Sequence, residues 1–320
     1  MTAAATGTRP GARIRGLGLY RPANLVTNDD LAKRVDTSDE WIRSRTGIAT
    51  RRVADEDESV VAMAAAAGGK ALAAAGLTAA DIDLVLVATC SNKSQIPAAA
   101  PQVAYRLGAT KAGASDVNGA CAGFCYALAM AADSVRAGST DHVLVIGSER
   151  LSDYTNWDDR GTCILLADGA GAAVVSRSEV DEIGPVVWGH NGERNEAIYI
   201  PGYGDNFMRM EGQAVYRWAV ALVPLLVKTC ERAGITPGDL AAFVPHQANM
   251  RIIQAMAKTL GADKAIIADD VVDAGNTSAA SVPMALTRLV EDGRLRSGDP
   301  ALLFGFGAGL SYAGQVVRVP

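Results

Sequence analysis

Three side chains of this sequence have types that can do chemistry together: a sulfur that can serve as a nucleophile, an imidazole and a carboxamide. Cys121 lies in Asp116-Val-Asn-Gly-Ala-Cys-Ala-Gly-Phe-Cys-Tyr-Ala-Leu, between a strand-like approach over 112–117 and a small-residue helical pattern over 124–135. At such a corner, unpaired backbone N–H groups and the helix dipole favour negative charge, which predicts a thiol pKa below its free value of about 8.5. Gly119, Ala120, Ala122 and Gly123 leave the sulfur approachable. The position suits a purely packing cysteine equally well. His246, in Phe243-Val-Pro-His-Gln-Ala-Asn-Met-Arg, follows a strand-like run, and Asn276, in Ala274-Gly-Asn-Thr-Ser-Ala-Ala-Ser, precedes a helical one. Taken singly, a core imidazole bonded to backbone and a helix cap are competing readings of these two. His142 and His190 read as structural or surface residues, Cys125 as packing, and Cys90, Cys163 and Cys230 as core.

The elements that hold these residues read as alternating strands and helices. Residues 13–20 form a first strand. Residues 36–47 form a short helix with Thr37 or Ser38 at its cap and Gly47 past its end. Residues 60–75 and 97–107 read as helices. Residues 82–88 and 143–147 read as strands buried on both faces, and 164–175 as strand-like around a turn at Gly169-Ala-Gly171.

The second half of the chain echoes the first. Ala75-Gly-Leu-Thr-Ala-Ala-Asp aligns with Ala233-Gly-Ile-Thr-Pro-Gly-Asp at an offset of 158 (233 − 75). Leu107-Gly-Ala-Thr-Lys-Ala aligns with Leu260-Gly-Ala-Asp-Lys-Ala at 153 (260 − 107), and Val143-Leu-Val-Ile-Gly with Ala301-Leu-Leu-Phe-Gly at 158 (301 − 143). Three blocks in one order imply duplication of a strand–helix unit, with sheets covered by helices and two halves related by a pseudo-dyad. An intermediate offset of 155 (276 − 121) pairs Cys121 with Asn276, so these two are expected to open equivalent helices. His246 falls just past the strand that echoes 82–88, and sites in open α/β sheets form at carboxyl ends of strands.

Composition narrows the function classes. The chain has 320 residues, 49% hydrophobic and 20% charged, and no apolar run approaches the roughly 18 residues of a membrane span. A net charge of −5 argues against a nucleic-acid binder, and five cysteines without metal-like spacing indicate neither a disulfide framework nor a metal site. Residues 1–10 lack signal-peptide order and read as a frayed end of a cytoplasmic protein.

Six motifs then carry a resemblance: Cys121-Ala-Gly-Phe, Val244-Pro-His-Gln-Ala-Asn, Ala274-Gly-Asn-Thr-Ser, Asp39-Glu-Trp-Ile-Arg, Asp159-Arg-Gly-Thr and Phe304-Gly-Phe-Gly-Ala-Gly. Together they resemble the thiolase superfamily, and within it β-ketoacyl-acyl carrier protein synthase III, over residues 13–319. The resemblance implies an α/β thiolase-like fold of two duplicated βαβαββ-type halves, residues 1–180 and 181–320, layered α-β-α-β-α. It implies a homodimer without a permanently bound cofactor. The implied reaction is a decarboxylative Claisen condensation of an acyl-CoA with malonyl-acyl carrier protein.

The resemblance also assigns roles. Cys121 takes the acyl group, His246 and Asn276 donate to the malonyl thioester oxygen, and the backbone N–H groups of Cys121 and Ala308 hold the second oxyanion. Thr37, Trp41, Arg45, Arg160, Gly212 and Asn249 are the implied CoA residues, with adenine between Trp41 and Arg160. Arg217, Gln247, Arg251 and Lys258 are the implied carrier-protein surface, although exposed charges are more often merely solvated. Ile96, Leu151, Leu165, Phe207, Met210 and Phe306 are the implied acyl pocket, Ile96 on the loop that reaches into the partner subunit. Thiolases place a second cysteine where Asn276 stands, and hydroxymethylglutaryl-CoA synthases use a glutamate as acid/base. Chalcone synthases share the triad, but the Trp41 and Arg160 motifs resemble synthase III more closely. The remaining classes are an acyltransferase that does not condense, a non-catalytic synthase subunit and a papain-like hydrolase. The Gly-rich segment 198–208 departs from the family pattern and leaves the starter open between fatty acid and polyketide priming.

Overall fold

The computed structural model describes residues 10–202 and 204–320, so all but Pro10 of the expected frayed end at 1–10 lies outside the described residues. Long runs of β-branched and small apolar residues build two five-stranded sheets. The first contains β1 (Gly11–Tyr20), β2 (Leu84–Ala88), β3 (Gly113–Val117), β4 (His142–Arg150) and β5 (Asp168–Ser178), in the order β1-β5-β4-β2-β3. The second contains β6 (Val187–His190), β7 (Ala242–Pro245), β8 (Ile266–Ile267), β9 (Pro300–Gly307) and β10 (Ser311–Arg318), in the order β6-β10-β9-β7-β8. The orders are the same, and each half runs βαβαβαββ, one strand–helix step longer than the expected unit.

The helices between the strands are α1 (Asp39–Thr46), α2 (Val60–Ala75), α3 (Ala99–Leu107), α4 (Gly123–Arg136), α5 (Gly212–Ala221), α6 (Val223–Arg232), α7 (Met250–Leu260) and α8 (Ser281–Glu291). Their starts follow local chemistry. Ser38, Ser59 and Asn249 accept N–H groups of the first turns of α1, α2 and α7, and Gly47, Gly76 and Gly261 end them in the left-handed conformation. Helices α2 and α3 cover the outer face of the first sheet, and α6 and α7 that of the second. Helices α4 and α8 lie between the sheets in a shared core that includes Phe124, Leu128, Val282 and Leu286. The layering is therefore α-β-α-β-α.

The duplication is written into the registers. Leu84 pairs with Val143 and Ala242 with Ala301, all displaced by 158 (242 − 84 and 301 − 143). Leu84 also pairs with Gly113 and Ala242 with Ile266, a displacement of 153 (266 − 113). The return to 158 is produced by residues 271–275, which contain a single helical turn, Val271–Ala274, that the first half lacks. Beyond that insertion the offset returns to 158, so Cys121 corresponds to Ala279 (279 − 121), and Asn276 to Asn118 (276 − 118). The expected pairing of Cys121 with Asn276 is corrected accordingly.

Glycines bring the middle layer close to both sheets. A Cβ at Gly305 of β9 would lie 2.8 Å from the Cα of Ala122, and one at Gly147 of β4 would lie 2.8 Å from the carbonyl carbon of Ala279. Gly147 and Gly305 are 158 apart, as are Cys121 and Ala279, so each half threads a helix start across the dyad onto the other half's sheet. The expected turn at Gly169-Ala-Gly171 is instead continuous strand within β5. Its glycines bear no side chain because α8 packs there through Pro283 and Met284.

Candidate active site

A cavity of about 430 Å³ opens between the halves, and Cys121, His246 and Asn276 all line it. Cys121 sits in a one-turn 3₁₀ segment, Ala120–Ala122, that feeds α4. Ala120 just before it has φ +44°, and the pseudo-equivalent Ser278 has φ +47°. A left-handed conformation costs a non-glycine residue about 1–2 kcal/mol. Its recurrence at both helix entries shows that the packing of the layer imposes it. Gly307 faces the sulfur: a Cβ there would lie 2.8 Å from Cys121 Sγ and 2.6 Å from its Cβ. Backbone N–H groups of Ala308 and of Cys121 itself reach the thiol.

The electrostatics correct the expectation of an acidified thiol. Cys121 keeps some surface, but its sulfur lies deep, and burial pushes its pKa up to about 11. A hydrogen bond from Ser278 and the two N–H groups oppose this rise, and the carboxylate of Glu149 adds to it. Desolvation outweighs the helix dipole because the dipole's pull is a fraction of a charge felt through one turn. The resting group is a thiol.

His246 is 2% exposed, and burial drives its pKa down to about 3, so the ring is neutral. Its Nδ1 lies 2.8 Å from Ser281 Oγ, and the same oxygen accepts the backbone N–H of Gln247 at 3.2 Å. With that lone pair occupied, the hydroxyl proton goes to Nδ1, which leaves hydrogen on Nε2 as a neutral donor. Phe306 packs against the ring edge-on, centroids 5.3 Å apart. Asn276 is fixed in a similar way. Its backbone bridges to the first half through Leu165 and Ala167, and its Oδ1 accepts the N–H of Ser278 at 3.0 Å. The amide Nδ2 is thereby the free end, again a donor. Asn118 repeats this turn, its Oδ1 accepting from Ala120 N–H at 3.4 Å, and it also lines the cavity.

Arg45, Gly212 and Asn249 line the cavity. Trp41 and Arg160 lie beyond that lining, linked to it by Arg45. The Arg160 guanidinium is 5.0 Å and that of Arg45 5.7 Å from the Trp41 ring centroid. An aromatic ring between two planes needs about 7 Å between them, so an adenine would have to part Arg160 from Trp41. Thr37 Oγ1 is buried beside them without a hydrogen-bond partner. Arg217, Arg251 and Lys258 are exposed on the neighbouring helices α5 and α7.

Other assignments change. Gln247 is 1% exposed, and its amide bonds Pro245 O at 2.8 Å, Ala268 O at 3.3 Å and Val271 N at 3.1 Å. It staples β7 to the inserted turn and has no surface for a carrier protein. Leu151, Leu165, Met210 and Phe306 line the cavity, but Phe207 does not; Met208 lines it instead, two residues before Met210 and so on the same side of an extended backbone. Ile96 is 91% exposed and lies outside this lining. Cys90 is a cavity wall residue rather than core. Sequence reasoning missed Ser281, Ser278 and Glu149. An alignment held at 158 across the second helix entry places Ser278 opposite Ala120 (278 − 120) and Ser281 opposite Gly123 (281 − 123), on either side of the position of Cys121.

Comparison with known proteins decides the family. The model for 3-oxoacyl-[acyl-carrier-protein] synthase III matches residues 115–192, and the model for its C-terminal part matches residues 230–319. The chain is 54% identical over 314 residues to β-ketoacyl-[acyl-carrier-protein] synthase III 4 of Streptomyces coelicolor, covering 97% of this chain and 99% of that one. The chain belongs to the β-ketoacyl-acyl carrier protein synthase III family. A second synthase III, from Streptomyces avermitilis, is also 54% identical with the same coverage. Among solved structures, the priming β-ketosynthase of the R1128 polyketide pathway superposes with a TM-score of 0.97 at 44% identity, covering 100% of this chain and 99% of that one. The synthase III of Aquifex aeolicus gives 0.92 at 38% identity, covering 96% and 100%. The synthase III fold, two thiolase-like halves about a pseudo-dyad, is thus that of this chain.

Proposed function

We propose that this chain condenses an acyl-CoA with malonyl-acyl carrier protein and releases CO₂ and a 3-oxoacyl-acyl carrier protein, the first step of fatty acid or polyketide synthesis. The observation that carries this is the convergence in one cavity of Cys121 with two backbone N–H groups, a neutral imidazole and a carboxamide. Residues 1–180 supply the sulfur and 181–320 the donors. Cys121 Sγ attacks the thioester carbonyl of acyl-CoA while the N–H groups of Cys121 and Ala308 hold the oxyanion. The CoA thiolate leaves and takes the proton that the thiol gives up. In the second half-reaction, His246 Nε2–H and Asn276 Nδ2–H donate to the malonyl thioester oxygen as CO₂ departs and charge moves onto it. The resulting enolate carbon attacks the acyl carbonyl, and the Cys121 thiolate leaves and takes up a proton from solvent, which restores the thiol.

Neutral donors suit this step. A strong base is not needed when carboxylate loss generates the carbanion. Simple acyl transfer leaves Asn276 without a task, which weighs against a non-condensing acyltransferase. The exposed cations of α5 and α7 support docking of an acidic carrier protein near the cavity mouth. The projecting Ile96 supports a homodimer in which its loop enters the second copy's pocket. Thr37, Arg45, Gly212 and Asn249 we assign to the CoA path, with Trp41 and Arg160 parting to admit the adenine. No helix among the described residues is long and apolar enough to cross a membrane, in keeping with our reading of a cytoplasmic enzyme.

Intact-protein mass spectrometry after incubation with a panel of acyl-CoAs, from acetyl to branched and longer chains, tests this reading. One acyl adduct is expected, mapped to Cys121 and discharged by malonyl-acyl carrier protein. An adduct on another cysteine, or none with any member, defeats it.

A further inference from the structure

The pseudo-dyad produces a second copy of the backbone around the thiol. The N–H groups of Cys121 and Ala308 correspond to those of Ala279 (279 − 121 = 158) and Arg150 (308 − 150 = 158). In this second copy the chain fills the space itself. Ala279 N–H donates to Glu149 Oε1 at 3.4 Å, Arg150 N–H donates to Ser91 Oγ at 2.8 Å, and the Ser91 hydroxyl donates to Glu149 Oε2. Glu149 stands where the other half has Gly307 (307 − 149 = 158), the residue whose missing side chain admits Cys121.

Glu149 is fully buried. Besides Ser91 and Ala279, it meets the N–H of Cys90 at 3.1 Å, the hydroxyl of Thr89 at 3.2 Å and the thiol of Cys90 at 3.3 Å. Burial raises the pKa of this carboxyl, and the hydrogen bonds from Ser91, Cys90 and Ser278 oppose that rise. No step of the proposed condensation uses it. It is nevertheless joined to the nucleophile through Ser278, whose side chain bonds Cys121, lies beside Glu149 and stands 3.8 Å from Cys90 Sγ.

We propose that Glu149 is a positioning residue for Cys121: a resident carboxylate that occupies the degenerate copy of the oxyanion site and holds the Ser278 turn against the thiol. It ties the loop after β2 to the entry of α8, and so fixes across the dyad the turn that orients Asn276 and meets the sulfur. The inference rests on the reading of Cys121 as nucleophile.

The test measures two rates in the full-length chain: alkylation of Cys121 by iodoacetamide against pH, mapped by peptide mass spectrometry, and acyl loading from acyl-CoA. Glu149→Gln keeps the shape and removes a negative charge near the sulfur, so thiolate forms at lower pH. Alkylation at pH 8 is expected to rise about tenfold, one unit of thiol pKa, while loading falls by a similar factor. Ser278→Ala removes a hydrogen bond that favours thiolate, so its alkylation profile moves to higher pH. A carboxylate that only packs would leave both profiles in place. Alkylation within about twofold of wild type in both variants overturns the proposal. If Glu149→Gln does not fold, an unmoved profile in Ser278→Ala overturns it alone, because the link to the thiol runs through that hydroxyl. Wild-type protein that alkylates at Cys121 but never loads acyl groups defeats the nucleophile reading instead, and is scored separately.

Discussion

At one end of the pseudo-dyad a glycine faces a cysteine; at the other a glutamate faces an alanine. The backbone is otherwise shared. Both ends have a left-handed residue at the helix entry, an Asn whose Oδ1 accepts the N–H two residues on, and a strand glycine pressed against the turn. Gly307 leaves the space over Cys121 open, and two N–H groups are directed into it. Glu149 closes the matching space around Ala279 with its own carboxylate. Duplication thus supplied two anion-binding corners. One is open over the Cys121 sulfur, and the other is filled by the Glu149 carboxyl group. A buried N–H without a partner costs about 1–3 kcal/mol, so the unused corner cannot simply stand empty.

This asymmetry can be broken from either side. Cys121→Ala should abolish acyl loading, with product formation at the level of an enzyme-free control, read by intact mass and by product assay. His246→Ala and Asn276→Ala should each slow decarboxylation of malonyl-acyl carrier protein by about 10²–10³, while acyl loading of Cys121 persists. Equal loss of loading in either variant would place that residue in the first half-reaction. Gly307→Ala puts a methyl group 2.8 Å from the sulfur and makes the open corner resemble the closed one. A displaced nucleophile of that kind should cost about 10² in loading rate, with the fold intact by circular dichroism.

The smallest effect concerns stability rather than rate. Burial lowers the His246 pKa to about 3, below the ordinary value of 6.5. Between those values the unfolded chain binds a proton that the folded chain does not. Stability therefore falls as pH drops from about 6.5 toward 3, by up to about 1.4 kcal/mol per pH unit. Denaturant midpoints measured from pH 7 to pH 4 should decline more steeply for wild type than for His246→Ala. Parallel lines would mean that the imidazole is not desolvated as described.

The sequence by itself determined the strands and helices, because apolar periodicity and end-capping residues act over a few neighbours. The helix over 60–75 coincides with α2, and Ser38 and Gly47 bound α1. It also determined the duplication and, through six motifs, the family and the trio of Cys121, His246 and Asn276. Tertiary structure alone decided what depends on dielectric and on cross-dyad contact. The thiol pKa rises rather than falls because burial is a property of the assembled layers. Gln247 turns inward because an inserted helical turn offers it an N–H. The register of the second helix entry shifts because that same insertion displaces the offset from 153 to 158 (266 − 113; 276 − 118). Glu149 was silent in the sequence for the same reason: its five donors come from two separated stretches of chain, 89–91 and 279, and only the packed fold gathers them around one carboxylate.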